Sequence, residues 1–456
     1  MEILHIDRVK TFFQNSFIED YYNTSKFDSL RSYNPRIEEL GKAIEAKMSF
    51  SQTQRNVLAE SLTQQYKDAQ ITIGENLHHN IGSLRESNTF TVTTGQQIHI
   101  GLGPMYVLYK ALDVLAIAKQ CKEAYPDYNF VPVFWMASED HDLEEISEIN
   151  LFGKKLIWKT NQIGPVGRMN PDGLVDFFEE IEKDFNLSEE QSSFIEICKK
   201  VYSNSENLSI AFRNLLHEYF KTTDLVILDA DNKQLKESFV PVLEDELNQK
   251  NYESLEASTK EFESKGYKRQ LVIRPCNLFD MSNGSRLKIT DGANLSAQEN
   301  AYSLSPNAAL RPFYQEWILP NLVYVGGPSE VKYWMQLKGI FDNYKMPMPI
   351  LHLRTSNMLI PKKQISKLDQ KDIFSLFSSK EELAKQYDKE TEILAANLNN
   401  KYLAIVNAID GYSQVTSSKF NGFSLEGKIK KINPKPVNNA PIKNAICLFC
   451  SSICPV

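Results

Sequence analysis

Cysteine is scarce in this sequence, and no apolar stretch is long. Six cysteines among 456 residues are too few for a disulfide framework, and Cys121, Cys198 and Cys276 lie far apart. The N-terminal residues lack the uninterrupted apolar region of a signal peptide, and no segment approaches the ~20 apolar residues of a membrane span. We therefore expect a cytoplasmic protein with reduced thiols and no membrane partner.

Basic residues are not in excess either. The formal net charge is −7, which argues against nucleic acid as the main partner. A hydrophobic content of 42% and a charged content of 24% are typical of a globular protein, and 456 residues suffice for two or three domains. The sequence also lacks the P-loop and the G-x-G-x-x-G dinucleotide motif, so no standard motif identifies a nucleotide site.

The stretch Val92–Lys110 (VTTGQQIHIGLGPMYVLYK) combines the end of a strand, a glycine-rich loop and the start of a helix. β-Branched and aromatic residues in Thr89–Thr94 predict a buried strand. Pro104 fits the first helical position because its φ is preset. The free N–H groups of this helix would suit a phosphate or a carboxylate, although a tight turn without a ligand explains the same residues. The loop residues predicted to add side-chain hydrogen bonds are Gln96, Gln97 and His99.

A second junction of the same kind follows the apolar strand Asn321–Val325, where Gly326, Gly327 and Pro328 lead into a helix. In one parallel sheet both junctions would lie at the same edge. We therefore predict that they line one pocket, with Lys110 as structural support. The predicted lining residues are Thr94, Gly95, Gln96, Gln97, Gly326, Gly327 and Pro328.

Acidic residues and a histidine follow the apolar run Asn129–Met136. Ligand crevices in open α/β sheets lie at the carboxyl ends of strands. His141 is therefore predicted to act as a general base, oriented by Asp140 or Asp142, while Glu139 binds an amine or a magnesium ion. The alternative is an ordinary helix start, where the helix dipole favours acids. No tightly bound metal is expected.

Five apolar segments predict an α/β fold with a Rossmann-like, mainly parallel sheet. They are Thr89–Thr94, Val131–Met136, Leu225–Leu228, Leu322–Val325 and Ile350–Leu353. Asp229 directly follows the third segment, and it either caps the next helix or contacts a polar ligand.

The predicted domain organisation has four parts. Residues 1–85 form a helical segment that joins the core, and residues 86–370 form the core, with inserts at about 165–220 and 255–300. In the second insert, 271–274 and 286–289 read as short strands. An apolar stripe predicts a coiled-coil arm over 378–431, and the alternative is an amphipathic helix packed on its own domain. The tail, 432–456, is rich in proline and cysteine and is expected to be disordered; its cysteines do not have the spacing of a metal site.

Several of these segments together resemble one family. The segments are TGQQ…GLGPMYVLYK, VPVFWMASEDHDLEEI, LVILDAD, the long run from SPNAALRPFYQEW to VYVGGPSEVKYW, and NMLI. They are similar to the BshC family, the cysteine ligase of bacillithiol biosynthesis. The resemblance implies a Rossmann-like core with inserted connecting segments and a coiled coil that forms a homodimer. It implies attachment of L-cysteine to the amine of glucosaminyl-malate. The family's core is also similar to class I aminoacyl-tRNA synthetases, so ATP, alone or with Mg²⁺, is the expected cofactor. A non-catalytic nucleotide- or sugar-binding dimer on the same scaffold is the alternative.

The resemblance also directs attention to arginines, because a malyl group carries two carboxylates and arginine pairs with carboxylates through two hydrogen bonds. Arg311 is the first choice. The other candidates near strand ends or turns are Arg274, Arg286 and Arg354. Family members usually continue past this length with a returning coiled-coil helix, so the arm is expected to be shortened here and its association altered.

Overall fold

The computed structural model describes residues 15–151, 154–290, 295–357, 360 and 377. Within these residues the strands are β1 (Thr89–Gln97), β2 (Asn129–Ala137), β3 (Glu148–Leu151), β4 (Lys154–Ile157), β5 (Val226–Asp229), β6 (Leu278–Asp280), β7 (Leu287–Lys288), β8 (Leu304–Pro306), β9 (Asn321–Gly326) and β10 (Ile350–Leu353). The α-helices are α1 (Ser16–Asn23), α2 (Leu40–Lys47), α3 (Gln52–Asp68), α4 (Glu75–Ser83), α5 (Met105–Ala124), α6 (Leu143–Ile146), α7 (Leu174–Asp184), α8 (Glu189–Ser203), α9 (Leu208–Phe220), α10 (Lys233–Ser238), α11 (Val240–Leu247), α12 (Tyr252–Ser264), α13 (Ala297–Asn300), α14 (Arg311–Ile318), α15 (Pro328–Trp334) and α16 (Lys338–Asn343).

Five strands form one parallel sheet in the order β10-β9-β1-β2-β5. All five predicted segments lie in this sheet, so the predicted α/β, Rossmann-like core is confirmed. The chain extends the sheet from β1 in one direction through β2 and β5, and in the other through β9 and β10. The direction in which successive strands are added therefore reverses between β1 and β9, which makes this position the topological switch point of the sheet. Open α/β sheets bind ligands at the carboxyl ends of the strands that flank such a switch point.

Strand β1 is longer than predicted. It pairs with β2 residue by residue from Thr89 opposite Asn129 to Gln97 opposite Ala137. Assigning Gly95–Gln97 to a loop was therefore wrong, because the long parallel partner satisfies the backbone to the end of the segment. The loop itself contains Gly103, whose φ is 70° and where a Cβ would come within 2.6 Å of the His99 side chain. Only glycine fits that close approach.

The N-terminal helices pack onto this sheet. Tyr21 in α1 donates a hydrogen bond from its hydroxyl to the Leu351 carbonyl at 2.8 Å, and the Tyr66 hydroxyl in α3 accepts one from the Ile227 N–H at 2.9 Å. Both tyrosines are buried. The first helices thus cover β10 and β5, the two edge strands of the sheet, and shield their backbone.

The connecting segments differ in detail from prediction. Helix α6, the β3–β4 hairpin and helices α7 to α9 separate β2 from β5, where two helices were expected. The predicted strand at 271–274 is not a strand, since the Gln270 and Leu271 N–H groups donate to the Gln336 side chain at 2.5 and 3.2 Å. The predicted strand at 286–289 overlaps β7, which belongs to a small antiparallel sheet in the order β7-β6-β8. The predicted coiled coil and tail lie outside the described residues.

Candidate active site

The two glycine-containing junctions lie side by side at one edge of the sheet. Thr94 is opposite Val325 in the β1–β9 register, and its hydroxyl donates to the Val325 carbonyl at 2.8 Å. Gly95 and Gly326 follow at the carboxyl ends of these neighbouring strands. The sequence thus identified two segments that meet at the switch point, although Thr94 itself is fully buried and uses its hydroxyl within the sheet.

A buried ion pair connects the two junctions. The Lys110 ammonium donates to the Gly95 carbonyl at 2.8 Å and to Gln96 Oε1 at 2.9 Å, and it lies 2.7 Å from Glu330 Oε2. Glu330 also accepts hydrogen bonds from the Gly327 N–H at 2.6 Å and the Tyr324 hydroxyl at 2.8 Å. Burial acts to raise the pKa of Glu330, but the Lys110 ammonium holds it below its usual value. The supporting role predicted for Lys110 matches this geometry.

Lys110 also fixes the orientation of the Gln96 amide. An ammonium group can only donate, so the Gln96 atom facing it must be the oxygen. The NH₂ group then points away from Lys110, and it has no acceptor among the described residues. Gln96 is half-buried at the end of β1. The region at the carboxyl ends of β1 and β9, called the crevice below, therefore includes an NH₂ group that can donate to an oxygen atom of a ligand.

Arg311 contributes a positive charge at the same place. It begins α14, and its Nη1 lies 3.5 Å from the position that a Cβ on Gly95 would occupy. Its hydrogen-bond partners are neutral: Gln315 Oε1 at 3.2 Å and the Tyr333 hydroxyl at 3.3 Å. No carboxylate within the described ranges forms an ion pair with it. A guanidinium with only neutral partners beside a crevice attracts an anion.

The two helix N-termini differ from the prediction in different ways. Helix α15 is capped by its own Glu330, which occupies the Gly327 N–H. Pro104 precedes α5 as the N-cap instead of occupying the first helical position. His99 is 5% exposed, and its Nε2 has no hydrogen-bond partner in the described part of the chain, so its predicted polar contribution is not seen. Burial lowers the pKa of His99 to about 4.

The acidic cluster after β2 reaches β1 through Gln97. Gln97 Nε2 donates to Asp140 Oδ2 at 2.7 Å. His141 is about half exposed, and its Nδ1 lies 3.5 Å from Asp140 Oδ1 and 3.1 Å from Arg286 Nη1. Because arginine can only donate, Nδ1 is the acceptor in the contact with Arg286. The ring nitrogen nearest Asp140 is therefore already engaged, and this geometry disfavours the predicted base role of His141.

Glu139 faces a different set of charges. Its carboxylate accepts a hydrogen bond from the buried Lys236, whose ammonium also lies 3.4 Å from Asp231. Arg168 donates to both Asp231 oxygens, at 2.6 and 2.8 Å. Burial raises the pKa of Glu139, and Lys236 opposes this shift. The carboxylate is committed to this network, so the prediction that it is free to bind an amine or magnesium does not hold.

Asp229 is also committed. Its carboxylate accepts hydrogen bonds from the hydroxyls of Ser138 and Ser209 and from the Asp231 N–H. The next helix, α10, is capped by Asn232 instead. Asp229 therefore ties the ends of β2 and β5 together and lies away from the β1–β9 crevice.

Glu145 was not chosen from the sequence, although its position is informative. It is half-buried, interacts with the Gln97 side chain and has no cationic partner among the described residues. Burial raises its pKa, and the nearby charges of Asp142 and Asp140 raise it further. The D-x-x-E spacing of Asp142 and Glu145 is the sequence pattern that could have indicated this position. In the structure Asp142 caps α6 by accepting a hydrogen bond from the Glu145 N–H at 3.1 Å, so Glu145 lies in the first turn of the helix.

Two of the other predicted arginines have different surroundings from those of Arg311. Arg354 is close to Gly327 and to the Tyr106 ring, and Arg286 donates to Ser305 and to the Pro306 carbonyl. Within the described ranges, no group of three or more histidine, cysteine or acidic residues could hold a metal ion. A search of the same ranges for a helix with the length and apolar character of a membrane span finds none.

Comparisons with known proteins agree on one family. A family model described as "Bacillithiol biosynthesis BshC, N-terminal Rossmann-like domain" matches residues 1–355. A relative from Flavobacterium johnsoniae named "Putative cysteine ligase BshC" is 36% identical over 386 residues, which cover 79% of this chain and 72% of the relative. A relative of the same name from Flavobacterium psychrophilum is 37% identical, and the match covers 78% of this chain and 70% of the relative. Another from Staphylococcus epidermidis is 28% identical, and the match covers 67% of this chain and 59% of the relative. The chain belongs to the BshC family of bacillithiol biosynthesis.

Proposed function

We propose that this chain is a ligase that joins the carboxyl group of L-cysteine to the amine of glucosaminyl-malate, forming an amide. The observation that carries the proposal is that Arg311 lies beside Gly95 near the carboxyl end of β1, while Gln97, two residues further along the same strand, contacts the acids Asp140 and Glu145. The names of the relatives support the reaction class. Arg311 marks an anion-binding end and the acids mark an acidic end, and these two ends match the two reacting groups, a carboxyl compound and an amine.

The anion-binding end consists of Arg311 and the Gln96 NH₂ group. Arg311 has only neutral hydrogen-bond partners, and the contact of Gln96 Oε1 with Lys110 turns the Gln96 NH₂ group away from that ammonium. Together they offer a charge and directed N–H groups to a carboxylate or a phosphate. Among the four predicted arginines, Arg311 is the one beside β1, with its Nη1 3.5 Å from the position of a Cβ on Gly95.

The acidic end consists of Asp140 and Glu145, held together by Gln97. Gln97 follows Gly95 by two residues, so both face the same side of the sheet about 7 Å apart. An ammonium group placed against these acids would lie close to a carboxyl compound bound by Arg311. Glu145 is the best-suited proton acceptor because it has no cationic partner among the described residues and burial raises its pKa. His141 is second, since its Nδ1 accepts from Arg286.

Amide formation from a free carboxylate requires an activated acyl group, and ATP is the proposed source. The donor set fits its anionic character, because Arg311 and Gln96 would hold a phosphate oxygen. When bound, the nucleotide supplies the leaving group; the chain's own residues bind, orient and accept the proton. Dimerisation through the predicted arm is part of the same proposal.

The test is a product assay with matched substrates. Purified chain, L-cysteine, glucosaminyl-malate and ATP with Mg²⁺ should yield the cysteinyl amide by mass spectrometry. N-acetylglucosaminyl-malate, whose amine is blocked, should yield none. Cysteine-dependent exchange of pyrophosphate into ATP would indicate an adenylate, and exchange of phosphate an acyl phosphate. Binding of glucosaminyl-malate without product, with every nucleotide tried, would favour the non-catalytic alternative and refute the ligase.

A further inference from the structure

A chain of buried polar side chains leads from Arg311 away from the crevice into the core. Arg311 Nη1 donates to Gln315 Oε1 at 3.2 Å, and Gln315 Nε2 donates to Glu316 Oε1 at 3.0 Å. Arg311 and Gln315 are one helical turn apart in α14, so they share a face. Gln315 and Glu316 are fully buried. The chain therefore joins the crevice to groups that no ligand reaches.

Glu316 fixes the orientation of the Gln315 amide. Its Oε1 also accepts a hydrogen bond from Asn321 Nδ2 at 2.8 Å, and its Oε2 lies 3.6 Å from Lys47 Nζ. A carboxylate oxygen can only accept, so the Gln315 group that faces it must be NH₂. A flipped amide would bring oxygen against carboxylate and NH₂ against guanidinium. Protonation of Glu316 at Oε2 would leave this arrangement intact, since Oε1 would still accept.

The consequence concerns the charge of Arg311. Gln315 presents a neutral oxygen, which holds the guanidinium in place without neutralising it. A carboxylate at this position would form an ion pair and compete with an anionic ligand. We propose that Gln315, locked by Glu316, is a positioning residue that aims Arg311 at the crevice without placing a carboxylate against its guanidinium. This inference rests on the proposed function, in which Arg311 binds the anionic end of the ligand.

The test measures binding of two probes, glucosaminyl-malate and inorganic pyrophosphate, by calorimetry. Gln315→Met removes both hydrogen bonds, and we expect affinity for at least one probe to fall about 10-fold. Gln315→Glu supplies the competing carboxylate, and we expect a loss on the order of 100-fold. Glu316→Gln is the matched control: its side-chain oxygen still accepts from Gln315, so affinity should stay within about 3-fold of wild type.

A double-variant comparison separates positioning from a structural role. Arg311→Met should weaken binding on the order of 100-fold, and adding Gln315→Met to it should have no further effect. Equal effects of Gln315→Met in both backgrounds would overturn the positioning role. Unchanged binding of both probes by Arg311→Met would instead refute the anion site of the proposed function. Thermal unfolding without ligand shows whether Gln315→Met folds. If it does not, the affinities of Gln315→Glu and Glu316→Gln for the two probes are compared instead, and equal affinities would overturn the inference.

Discussion

The ion pair between Lys110 and Glu330 connects the two halves of the crevice, and its removal should be costly. Lys110→Met deletes an ammonium that contacts the Gly95 carbonyl, Gln96 Oε1 and the Glu330 carboxylate at 2.7 to 2.9 Å. The Lys110 side chain is 2% exposed, whereas that of Glu330 is 22% exposed. Breaking a buried pair typically costs about 3–5 kcal/mol because it leaves one charge uncompensated.

The remaining contacts of Glu330 place the expected value at the lower end of that range. After Lys110→Met, Glu330 keeps the Gly327 N–H and the Tyr324 hydroxyl, so we expect a loss of about 3 kcal/mol in the free energy of unfolding. Glu330→Gln leaves the Lys110 charge with two neutral acceptors and should cost a similar amount. The double variant removes both charges, so its cost should fall short of the sum by about 2 kcal/mol.

The assay is urea unfolding of the wild type, both single variants and the double variant, at one salt concentration. The exposed pair of Lys183 and Glu179, 3.5 Å apart, provides a matched control, because the same two substitutions there should give a coupling below about 0.5 kcal/mol. A coupling at Lys110 and Glu330 no larger than that of the control would refute the reasoning. It would mean that the two junctions hold their positions without the ion pair.

Three further predictions concern single side chains. Gln96→Glu replaces the directed NH₂ with an acceptor, so binding of glucosaminyl-malate or pyrophosphate should weaken about 10-fold in calorimetry, and unchanged binding of both would exclude Gln96 from the anion site. Glu145→Gln should lower the rate of ligation by roughly 10²–10⁴-fold, whereas His141→Asn should have only a small effect, and the reverse ranking of the two variants would restore His141 as the base. Because the active form of Glu145 is deprotonated, the rate of ligation by the wild type should rise as the pH rises through the raised pKa of Glu145. His99 has a folded-state pKa of about 4, so the unfolded state binds its proton first as the pH falls, and about 2 kcal/mol of stability should be lost between pH 7 and pH 5. His99→Gln should lose correspondingly less in urea unfolding, and an identical loss in both proteins would show that His99 is not held neutral.

Local sequence patterns predicted the sheet and the edge where the crevice lies. The strands are continuous apolar runs, and each of the two junctions combines glycine with proline after a strand, so a few neighbouring residues determine them. The length of β1 depended on β2, a separate segment of the chain, and local pattern could not supply it. The surroundings of His141 could not be predicted for a similar reason, because its Nδ1 contacts Arg286, which is 145 residues away in the chain.

The crevice shows the same division between local and distant information. Arg311 was predicted as a candidate because it lies near a turn, whereas its lack of a carboxylate partner among the described residues depends on the fold. The pairing of Lys110 with Glu330 joins segments from opposite halves of the sheet. Side-chain identity therefore indicated candidate binding groups, whereas long-range packing determines which of them are engaged by other protein groups.

The interface between β1 and β9 has a consequence for the order of events during synthesis. The hydroxyls of Thr91 and Thr93 both donate to the Asn321 side chain, and Thr91 and Asn321 are 230 residues apart. At about 5–20 residues per second, a ribosome needs roughly 10–50 s to make the intervening chain. During that interval β1, the central strand of the sheet, can pair only with β2. The edge of β1 that later pairs with β9 is exposed and open to non-native pairing. That edge of β1 therefore stays unpaired until β9 emerges, and a ligand that needs both strands cannot stabilise the nascent chain earlier.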